Sequence, residues 1–234
     1  MFKYIYDTRY CDFKDFDTIK PGSVLDAIQE AAIRNSEDCG FGIDALRSMN
    51  RAWILQGLNV RFETTVRTHA PIETYTAVKN MKGVLSERGC VLCQNGQTVA
   101  KSIANWCLLD TEKMRLCRIP KEMTDTYKIH DFKDDFFAYE RPEIIEDAPP
   151  VYQIRVCNKE IDTNRHLNNQ KGAELLLDAL PFDFELRNIK LFYPSPAYLG
   201  DELWVCVNEI ENGYYVHLKN KDNTVCVAGT FENK

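Results

Sequence analysis

Apolar residues along this chain follow a helical spacing in two stretches and a strand-like alternation in most of the rest. The first helical stretch follows Ser23, which we interpret as its N-cap, and ends near Gly40. A strand over residues 1–10 precedes it, and alternating stretches follow over residues 51–66, 72–82, 84–94 and 98–109. Asn95-Gly96 predicts a hairpin turn between the last two. This order predicts an α+β domain in which an antiparallel sheet wraps around one helix.

The second half of the chain repeats this order of elements. A predicted strand over residues 152–157 and a helix over 169–180 precede alternating stretches near 186–193, 202–209, 214–219 and 224–231. Residues 9–34 align without a gap on residues 155–180, so that Cys11 meets Cys157 and Ser23 meets Asn169. We therefore predict a tandem duplication, with an N-terminal domain over residues 1–120 and a C-terminal domain over residues 151–234. Residues 121–150, rich in charge and proline, are predicted to form a surface linker.

A polar cluster lies directly before the second helix, in Asp162-Thr163-Asn164-Arg165-His166-Leu167-Asn168-Asn169. The gapless alignment places Phe16, Thr18 and Lys20 opposite its acid, first amide and imidazole. The first repeat thus has the same predicted scaffold without the polar set, and we expect the chemistry in the second repeat.

Charge and cysteine content exclude several classes of function. A net charge of -6 argues against a nucleic-acid partner. The chain has no long apolar run and its first residues do not resemble a signal peptide, so we expect a cytoplasmic protein without membrane association. The nine cysteines favour reduced, largely buried thiols, and Cys157 is expected in the core. Cys90 and Cys93 fall on opposite faces of a predicted strand without a second pair, so we expect neither a metal nor a cofactor.

The duplicated order of elements and the polar cluster together resemble a known family. The pattern Asp162-x-Asn164-x-His166-x-Asn168-Asn169 resembles the signature of the acyl-ACP thioesterases, plant and bacterial enzymes that release fatty acids from acyl carrier protein (ACP). Residues 50–55, 105–110, 118–120 and 198–203 resemble further stretches of that family in the same order. The resemblance implies two tandem hotdog domains, hydrolysis of fatty acyl-ACP in fatty acid biosynthesis, and acyl-ACP as the partner. Two hotdog domains in one chain mimic the usual hotdog dimer, so a monomer and a homodimer both stay open.

Thioester hydrolysis assigns a role to each polar residue of the cluster. The reaction needs an activated water, donors for the developing oxyanion and a proton for the leaving thiolate. We predict that His166 is the general base and that Asn164 donates to the carbonyl or holds the water. Asp162 is predicted to orient one of them or to activate the water itself. Backbone N–H groups near Asn168 and Asn169, at the helix start, are the predicted oxyanion donors.

The first repeat is predicted to hold the acyl chain, because it has apolar bulk without the polar set. Ile28 and Trp53 are its candidate acyl contacts, and the family also selects chain length there. The family further carries a glutamate where this chain has Pro196, shortly before the Gly-Asp turn. We expect Asp162 to take more of the acid-base work in its place, with Asp201 as a more distant replacement.

Other interpretations stay open at this point. Asp-x-Asn is also the pattern of an Asx turn, and Asn168 or Asn169 is equally a helix N-cap. An enzyme of the same fold can act on acyl-CoA, and the loss of the glutamate also fits a protein that binds acyl chains or acyl-ACP without turnover. A basic patch for the acidic carrier protein is predicted to consist of Arg165, Lys171, Arg187 and Lys190, although each is equally an ordinary surface charge.

Overall fold

The structure is a computed structural model of the chain, and it describes residues 1–16, 18–64, 69–132 and 136–233. It divides into two compact units. The first unit is Met1–Gln56 with Phe62–Tyr139, and the second unit is Gly57–Arg61 with Glu140–Lys234. Over the described ranges, no helix has the length and apolar character needed to cross a bilayer.

The first unit is an antiparallel sheet packed against one long helix. Its helices are α1 (Pro21–Asp38), α2 (Ile43–Ser48) and α3 (Lys121–Tyr127). Its strands are β1 (Phe2–Tyr6), β2 (Arg51–Phe62), β3 (Ile72–Lys82), β4 (Leu85–Gln94), β5 (Gln97–Asp110) and β6 (Arg115–Leu116). They are ordered β1-β3-β4-β5-β2, with β6 beside β5. The apolar face of α1 is buried and packs on β1 and β3. The predicted turn at Asn95-Gly96 joins β4 to β5, with positive φ angles of 51° and 77° at its two residues.

The second unit repeats this arrangement. Its helix is α4 (Asn169–Leu177), and its strands are β7 (Pro150–Arg155), β8 (Leu186–Phe192), β9 (Glu202–Ile210), β10 (Gly213–Lys219) and β11 (Val225–Asn233). The order in the sheet is Gly57–Arg61 of β2, then β8, β11, β10, β9 and β7. Helix α4 packs on β10 and β11 and buries Ala173 and Leu176. The prediction of an α+β fold, with an antiparallel sheet around one helix in each repeat, is confirmed.

Equivalent hydrogen bonds in the two repeats show which residues of one repeat correspond to which residues of the other. In the first unit, the N–H of Lys20 donates to the carbonyl of Asp12 at 2.7 Å. In the second unit, the N–H of Asn168 donates to the carbonyl of Glu160 at 2.8 Å. Lys20 and Asn168 are also the N-cap residues of α1 and α4. These pairs lie 148 positions apart, since 168 minus 20 and 160 minus 12 both give 148. The predicted alignment, which matched Cys11 with Cys157, was therefore wrong by two residues.

The corrected register changes the partners of the polar cluster. The N–H of Lys14 donates to the carbonyl of Thr18, and the N–H of Asp162 donates to the carbonyl of His166, both at 2.9 Å. The residues opposite Asp162, Asn164 and His166 are therefore Lys14, Phe16 and Thr18, two positions before the predicted Phe16, Thr18 and Lys20. The first repeat still has no acid, amide or imidazole at these places.

The N-terminus of α1 also differs from the prediction. The helix begins at Pro21, with Lys20 as its N-cap, so Ser23 is not the N-cap but lies in the first turn. Proline suits the first helical position because its ring fixes φ and it has no N–H to satisfy. The hydroxyl of Ser23 instead donates to Asp12 Oδ1 at 3.1 Å.

Residues 121–150 carry more structure than the predicted surface linker. Helix α3 occupies their start and buries Met123 and Tyr127 in an apolar cluster of the first unit. The ring of Phe132 lies over Gly89, where a Cβ atom would come within 2.5 Å of it. Ala148 is buried in the second unit. The charged residues 133–135 and the predicted strand end at residues 65–66 lie outside the described residues.

Cysteine positions confirm part of the prediction. Cys90, Cys107, Cys206 and Cys226 are buried, and all nine cysteines are free thiols. Cys157 is exposed, and its prediction as a core residue was wrong. It follows the end of β7, where its thiol donates to the carbonyl of Arg155 at 3.2 Å.

Candidate active site

The polar cluster folds into a tight loop before α4. Ile161 and Leu167 pair as an isolated antiparallel bridge, and between them the N–H of Asp162 donates to the carbonyl of His166 at 2.9 Å. Arg165 adopts a left-handed backbone with φ of 65°, and its N–H donates to the carbonyl of Asp162 at 3.0 Å. The closed loop places residues 162–166 in a fixed backbone conformation.

The carboxylate of Asp162 organises this loop. Its Oδ1 accepts from the N–H of Asn164 at 2.8 Å and from the N–H of His166 at 3.2 Å. This is the geometry of the Asx turn, the alternative interpretation of the sequence pattern. No described residue donates to Oδ2, so one oxygen holds the backbone and the other stays open to water or a ligand.

The side chains of His166 and Asn164 are open to a ligand. His166 is half-buried and Asn164 is exposed. The His166 ring meets the ring of Tyr198 edge to face, with centroids 5.1 Å apart. Within the described part of the chain, neither the imidazole nor the Asn164 amide group has a hydrogen-bond partner. The arrangement leaves an imidazole and an amide whose polar atoms are free to hydrogen-bond a ligand.

The start of α4 is capped by Asn168. Its Oδ1 accepts from the N–H groups of Gln170 at 2.9 Å and Lys171 at 3.3 Å. Its own N–H donates to Glu160 and is therefore not the free donor that the sequence predicted. Among residues 168–171, the N–H of Asn169 is the one that meets no acceptor in the described ranges. The carbonyl of Asn169 accepts from the hydroxyl of Tyr193 at 3.2 Å.

The turn before β9 supports the loop from one side. The N–H of Leu167 donates to the carbonyl of Ala197 at 2.8 Å, and His166 and Tyr198 pair as a bridge. Asp201 Oδ2 accepts from the N–H of Tyr198 at 2.8 Å, so this carboxylate stabilises the turn. Pro196, at the place of the family glutamate, is exposed. The contact of Tyr198 with the imidazole was missed from the sequence, although Tyr198 lies in one of the stretches that resemble the family.

Two of the four predicted basic residues are already paired. Lys171 Nζ lies 2.7 Å from Glu174 Oε2, and Lys190 Nζ lies 2.7 Å from Glu140 Oε2 and 3.4 Å from Glu232 Oε1. The hydrogen bond that Lys190 donates to Glu140 raises the pKa of Lys190. Arg165 and Arg187 are exposed and form no ion pair with any described residue. Of the four predicted basic residues, Arg165 and Arg187 are thus the two whose charges have no ion-pair partner among the described residues.

The predicted acyl contacts both lie in the first unit. Ile28 is buried on α1 with 5% of its surface exposed. Trp53 is half-buried on β2 and packs against the apolar cluster that contains Tyr127 and Phe41. Across the described residues, no group of three or more histidine, cysteine or acidic side chains is arranged to hold a metal ion.

Family models match most of the chain in two parts. Residues 1–127 match the acyl-ACP thioesterase N-terminal domain, and residues 146–230 match the acyl-ACP thioesterase C-terminal domain. The chain is 20% identical, over 193 residues, to oleoyl-acyl carrier protein thioesterase 2, chloroplastic, of Arabidopsis thaliana. That match covers 73% of this chain and 53% of the relative, so the chain spans about half the length of the curated relatives it matches.

Solved structures share the fold over nearly the whole chain. An acyl-ACP thioesterase from Bacteroides thetaiotaomicron superposes with a TM-score of 0.88 at 19% identity, covering 98% of this chain and 96% of that one. The 12:0-ACP thioesterase from Umbellularia californica gives a TM-score of 0.84 at 16% identity, covering 99% and 94%. The predicted tandem hotdog fold is confirmed.

Proposed function

The chain belongs to the acyl-ACP thioesterase family, and from this premise we propose that it hydrolyses fatty acyl-ACP to a free fatty acid and holo-ACP. The observation that carries the proposal is the loop before α4. There, His166 and Asn164 have side chains without a partner in the described ranges, on a backbone fixed by Asp162. An acid, an amide and an imidazole on one closed loop can supply the base and the oxyanion donors that water-dependent thioester cleavage uses.

His166 is proposed to be the general base. Its imidazole takes a proton from water as the water oxygen attacks the carbonyl carbon of the thioester. When the tetrahedral intermediate collapses, the C–S bond breaks and the imidazolium returns that proton to the thiolate of the carrier's prosthetic arm. The histidine ends each cycle neutral, and no covalent acyl-enzyme is needed.

Asn164 and the start of α4 are proposed to stabilise the oxyanion. The amide of Asn164 is exposed and carries two N–H donors. The N–H of Asn169 is a second donor, since the neighbouring N–H groups of Asn168, Gln170 and Lys171 are already bonded. Asn168 then acts on the site by capping α4. A donor at a helix N-terminus also has the favourable dipole for a negative oxygen.

Asp162 is proposed to combine two roles in the absence of the family glutamate. Its Oδ1 positions the backbone of Asn164 and His166, and its Oδ2 orients the attacking water. Asp201 is a poor replacement for the glutamate, since its Oδ2 already accepts from the Tyr198 N–H.

Each repeat is proposed to supply its own kind of substrate contact. Ile28 and Trp53 contact the acyl chain in the first unit, and Arg165 and Arg187 of the second unit attract the acidic carrier protein. A cytoplasmic location, the domain boundaries and the choice between monomer and homodimer stay predictions.

Acyl-CoA stays the second candidate substrate. The ion pairs of Lys171 and Lys190 with glutamates reduce the cations available to either anionic substrate, the carrier protein or the phosphates of CoA, so they do not separate the two. The non-catalytic alternative rests on Pro196, which supplies no carboxylate.

Release of free thiol from matched acyl-ACP and acyl-CoA tests these alternatives. We expect hydrolysis of both, with kcat/KM at least tenfold higher on the ACP thioester, and a twofold to tenfold fall of that ratio in Arg165→Ala with Arg187→Ala. Equal or better rates on acyl-CoA would favour the second candidate. Tight binding of acyl-ACP without any thiol release, over chain lengths from butyryl to stearoyl, would support the alternative of a non-catalytic binding protein.

A further inference from the structure

Arg88 is a buried cation inside the first unit. It lies on β4 with 7% of its surface exposed. Its Nη1 donates to Asn35 Oδ1 of α1 at 2.7 Å and to Thr76 Oγ1 of β3 at 3.3 Å. The guanidinium carbon lies 5.7 Å from the centre of the Tyr127 ring. The charge is therefore enclosed between the sheet, α1 and α3.

The positive charge of Arg88 has no negative partner in the described part of the chain. Its polar contacts are an amide oxygen and a hydroxyl, both neutral. The nearby titratable groups are neutral as well, because burial raises the pKa of Cys90 to about 12 and raises the pKa values of Cys39 and Tyr127. A guanidinium stays protonated in proteins, and a buried charge without a counter-charge costs free energy. An anion bound beside Arg88 would supply the missing counter-charge.

The face of the sheet that carries Arg88 is mixed: the apolar Val78 and Ala104 lie directly opposite Arg88, and hydroxyl groups lie one pairing further along. Thr76 lies opposite Cys90 in the β3–β4 pairing, and Cys90 lies opposite Ser102 in the β4–β5 pairing. Thr74, two residues from Thr76 on the same face, is fully buried, and its hydroxyl meets no partner among the described residues. The methyl end of a hydrocarbon chain gains nothing from hydroxyls and a guanidinium. The hydroxyls and the guanidinium therefore suit a polar chain end better.

Arg88 lies close to both predicted acyl contacts. Asn35, which accepts from Arg88, is on the same helix as Ile28, seven residues or roughly 10 Å further along its axis. Tyr127 lies beneath the guanidinium and belongs to the cluster against which Trp53 packs. An acyl chain that starts beside Ile28 and follows α1 towards its C-terminus reaches the guanidinium within that distance.

We propose that Arg88 binds a carboxylate at the distal end of the acyl chain, and that the preferred substrates are acyl-ACPs whose chains end in a carboxylate. This inference rests on the proposed thioesterase function and specifies its substrate class. The remaining N–H groups of the guanidinium match a carboxylate with paired hydrogen bonds. Asn35 and Thr76 hold the cation in place for that contact.

Decanedioyl-ACP and decanoyl-ACP, which differ in the distal group, test the substrate class. We expect kcat/KM to be about tenfold higher for decanedioyl-ACP, because the carboxylate supplies the missing counter-charge. Arg88→Met should reverse the preference and favour decanoyl-ACP, and Arg88→Lys should keep part of it. The matched control is Arg34→Met, which removes an exposed arginine paired with Glu30 and Glu37 on α1 and should leave the preference intact. Equal rates on both substrates in the wild type would overturn the substrate class.

Binding of monomethyl decanedioate, measured by calorimetry against methyl decanoate, is a readout that needs no turnover. The methyl ester takes the place of the thioester, so the two ligands differ only in the distal carboxylate. Stronger binding of monomethyl decanedioate to the wild type supports the site even if Arg88→Lys and Arg88→Met are less stable, and Arg88→Met should abolish the difference. If monomethyl decanedioate binds more strongly but decanedioyl-ACP is not preferred, the carboxylate comes from a free ligand and the substrate assignment is wrong. If it binds through Arg88 while no acyl-ACP releases thiol, the thioesterase proposal fails and the anion site remains. Equal binding of the two esters together with equal rates on the two acyl-ACPs would contradict the proposal as a whole.

Discussion

The ring of His166 meets the ring of Tyr198 edge to face, with an angle of 82° between their planes. The backbones of the same two residues pair as an isolated bridge. Thirty-two positions separate them in the sequence, from 166 to 198, so the fold and not the motif brings them together. The turn before β9 thus supports the imidazole that we assign as the general base.

Replacing Tyr198 by alanine should lower kcat by about threefold to tenfold with little change in KM. An edge-to-face pair contributes about 0.5–1.5 kcal/mol, and its loss frees the imidazole to rotate. Tyr198→Phe keeps the ring and should retain activity within about twofold. Steady-state kinetics of the two variants measure whether the ring or the hydroxyl of Tyr198 supports activity. An equal fall of kcat in both variants would show that the hydroxyl is responsible.

Replacing Asp162 by alanine should lower the free energy of unfolding by about 1–2 kcal/mol, because two backbone N–H groups lose a charged acceptor. Asp162→Asn keeps an oxygen at the Oδ1 position and should recover most of that stability. Both variants should lose activity, since neither offers a carboxylate oxygen to the water. Urea unfolding measures the role of Asp162 in stabilising the loop, and thiol release measures its role in orienting the water. Full activity in Asp162→Asn would show that Asp162 only stabilises the Asx turn.

Replacing Asn168 by alanine should lower the free energy of unfolding by about 1 kcal/mol, as expected for loss of a side-chain N-cap. Asn168→Ser is the matched control, because serine caps helices nearly as well. In the first repeat, Lys20→Ala should cost less than Asn168→Ala, since the side chain of Lys20 makes no capping hydrogen bond and its Nζ donates only to the exposed carbonyl of Cys11, at 2.8 Å. Thermal or urea unfolding of the three variants checks this order, and equal losses at the two caps would contradict it.

His217 should make stability depend on pH below neutrality. It is fully buried on β10, neither ring nitrogen has a partner among the described residues, and burial, with a smaller effect of Lys219, lowers its pKa from 6.5 to about 4. As the pH falls, His217 is therefore protonated near pH 6.5 in the unfolded chain but only near pH 4 in the folded chain. The free energy of unfolding should therefore lose none of the contribution of neutral His217 above pH 6.5. Between pH 6.5 and 4 it should fall by about 3 kcal/mol.

Replacing His217 by leucine provides the control for that pH dependence. The variant keeps an apolar side chain in the core and has no group to titrate there. The unfolding free energies of the variant are subtracted from those of the wild type between pH 4 and 7.5. The pH dependence of this difference should be the contribution of His217. A difference that does not change with pH would show that the imidazole is not the group responsible.

The strands were predictable because their alternation and turn residues are local signals. Asn95-Gly96 is one such signal, and both of its residues take the positive φ that the hairpin requires. The start of α1 was not predictable in the same way, because Lys20 caps without its side chain and Ser23 offers a stronger but misleading signal. That choice shifted the alignment of the repeats by two residues.

The site was predictable only as far as the motif is contiguous. Residues 162–169 identified the loop, whereas the contact with Tyr198 and the neutralisation of Lys190 by Glu140 depend on chain folding. Helix α3 could not be predicted from apolar spacing, because its buried residues are only Met123 and Tyr127 in a short, polar stretch. Arg88 gave no sequence signal, since an arginine in a strand is normally exposed.

Thiol release from acyl-ACP by matched variants of the two repeats tests the central claim most directly. By the corrected register, Asn164 corresponds to Phe16, whose side chain is 97% exposed. We expect His166→Ala and Asn164→Ala to lower kcat by about 100-fold or more, with circular dichroism unchanged, and Phe16→Ala to stay within about twofold of the wild type. Full activity in both His166→Ala and Asn164→Ala would place the chemistry elsewhere in the molecule.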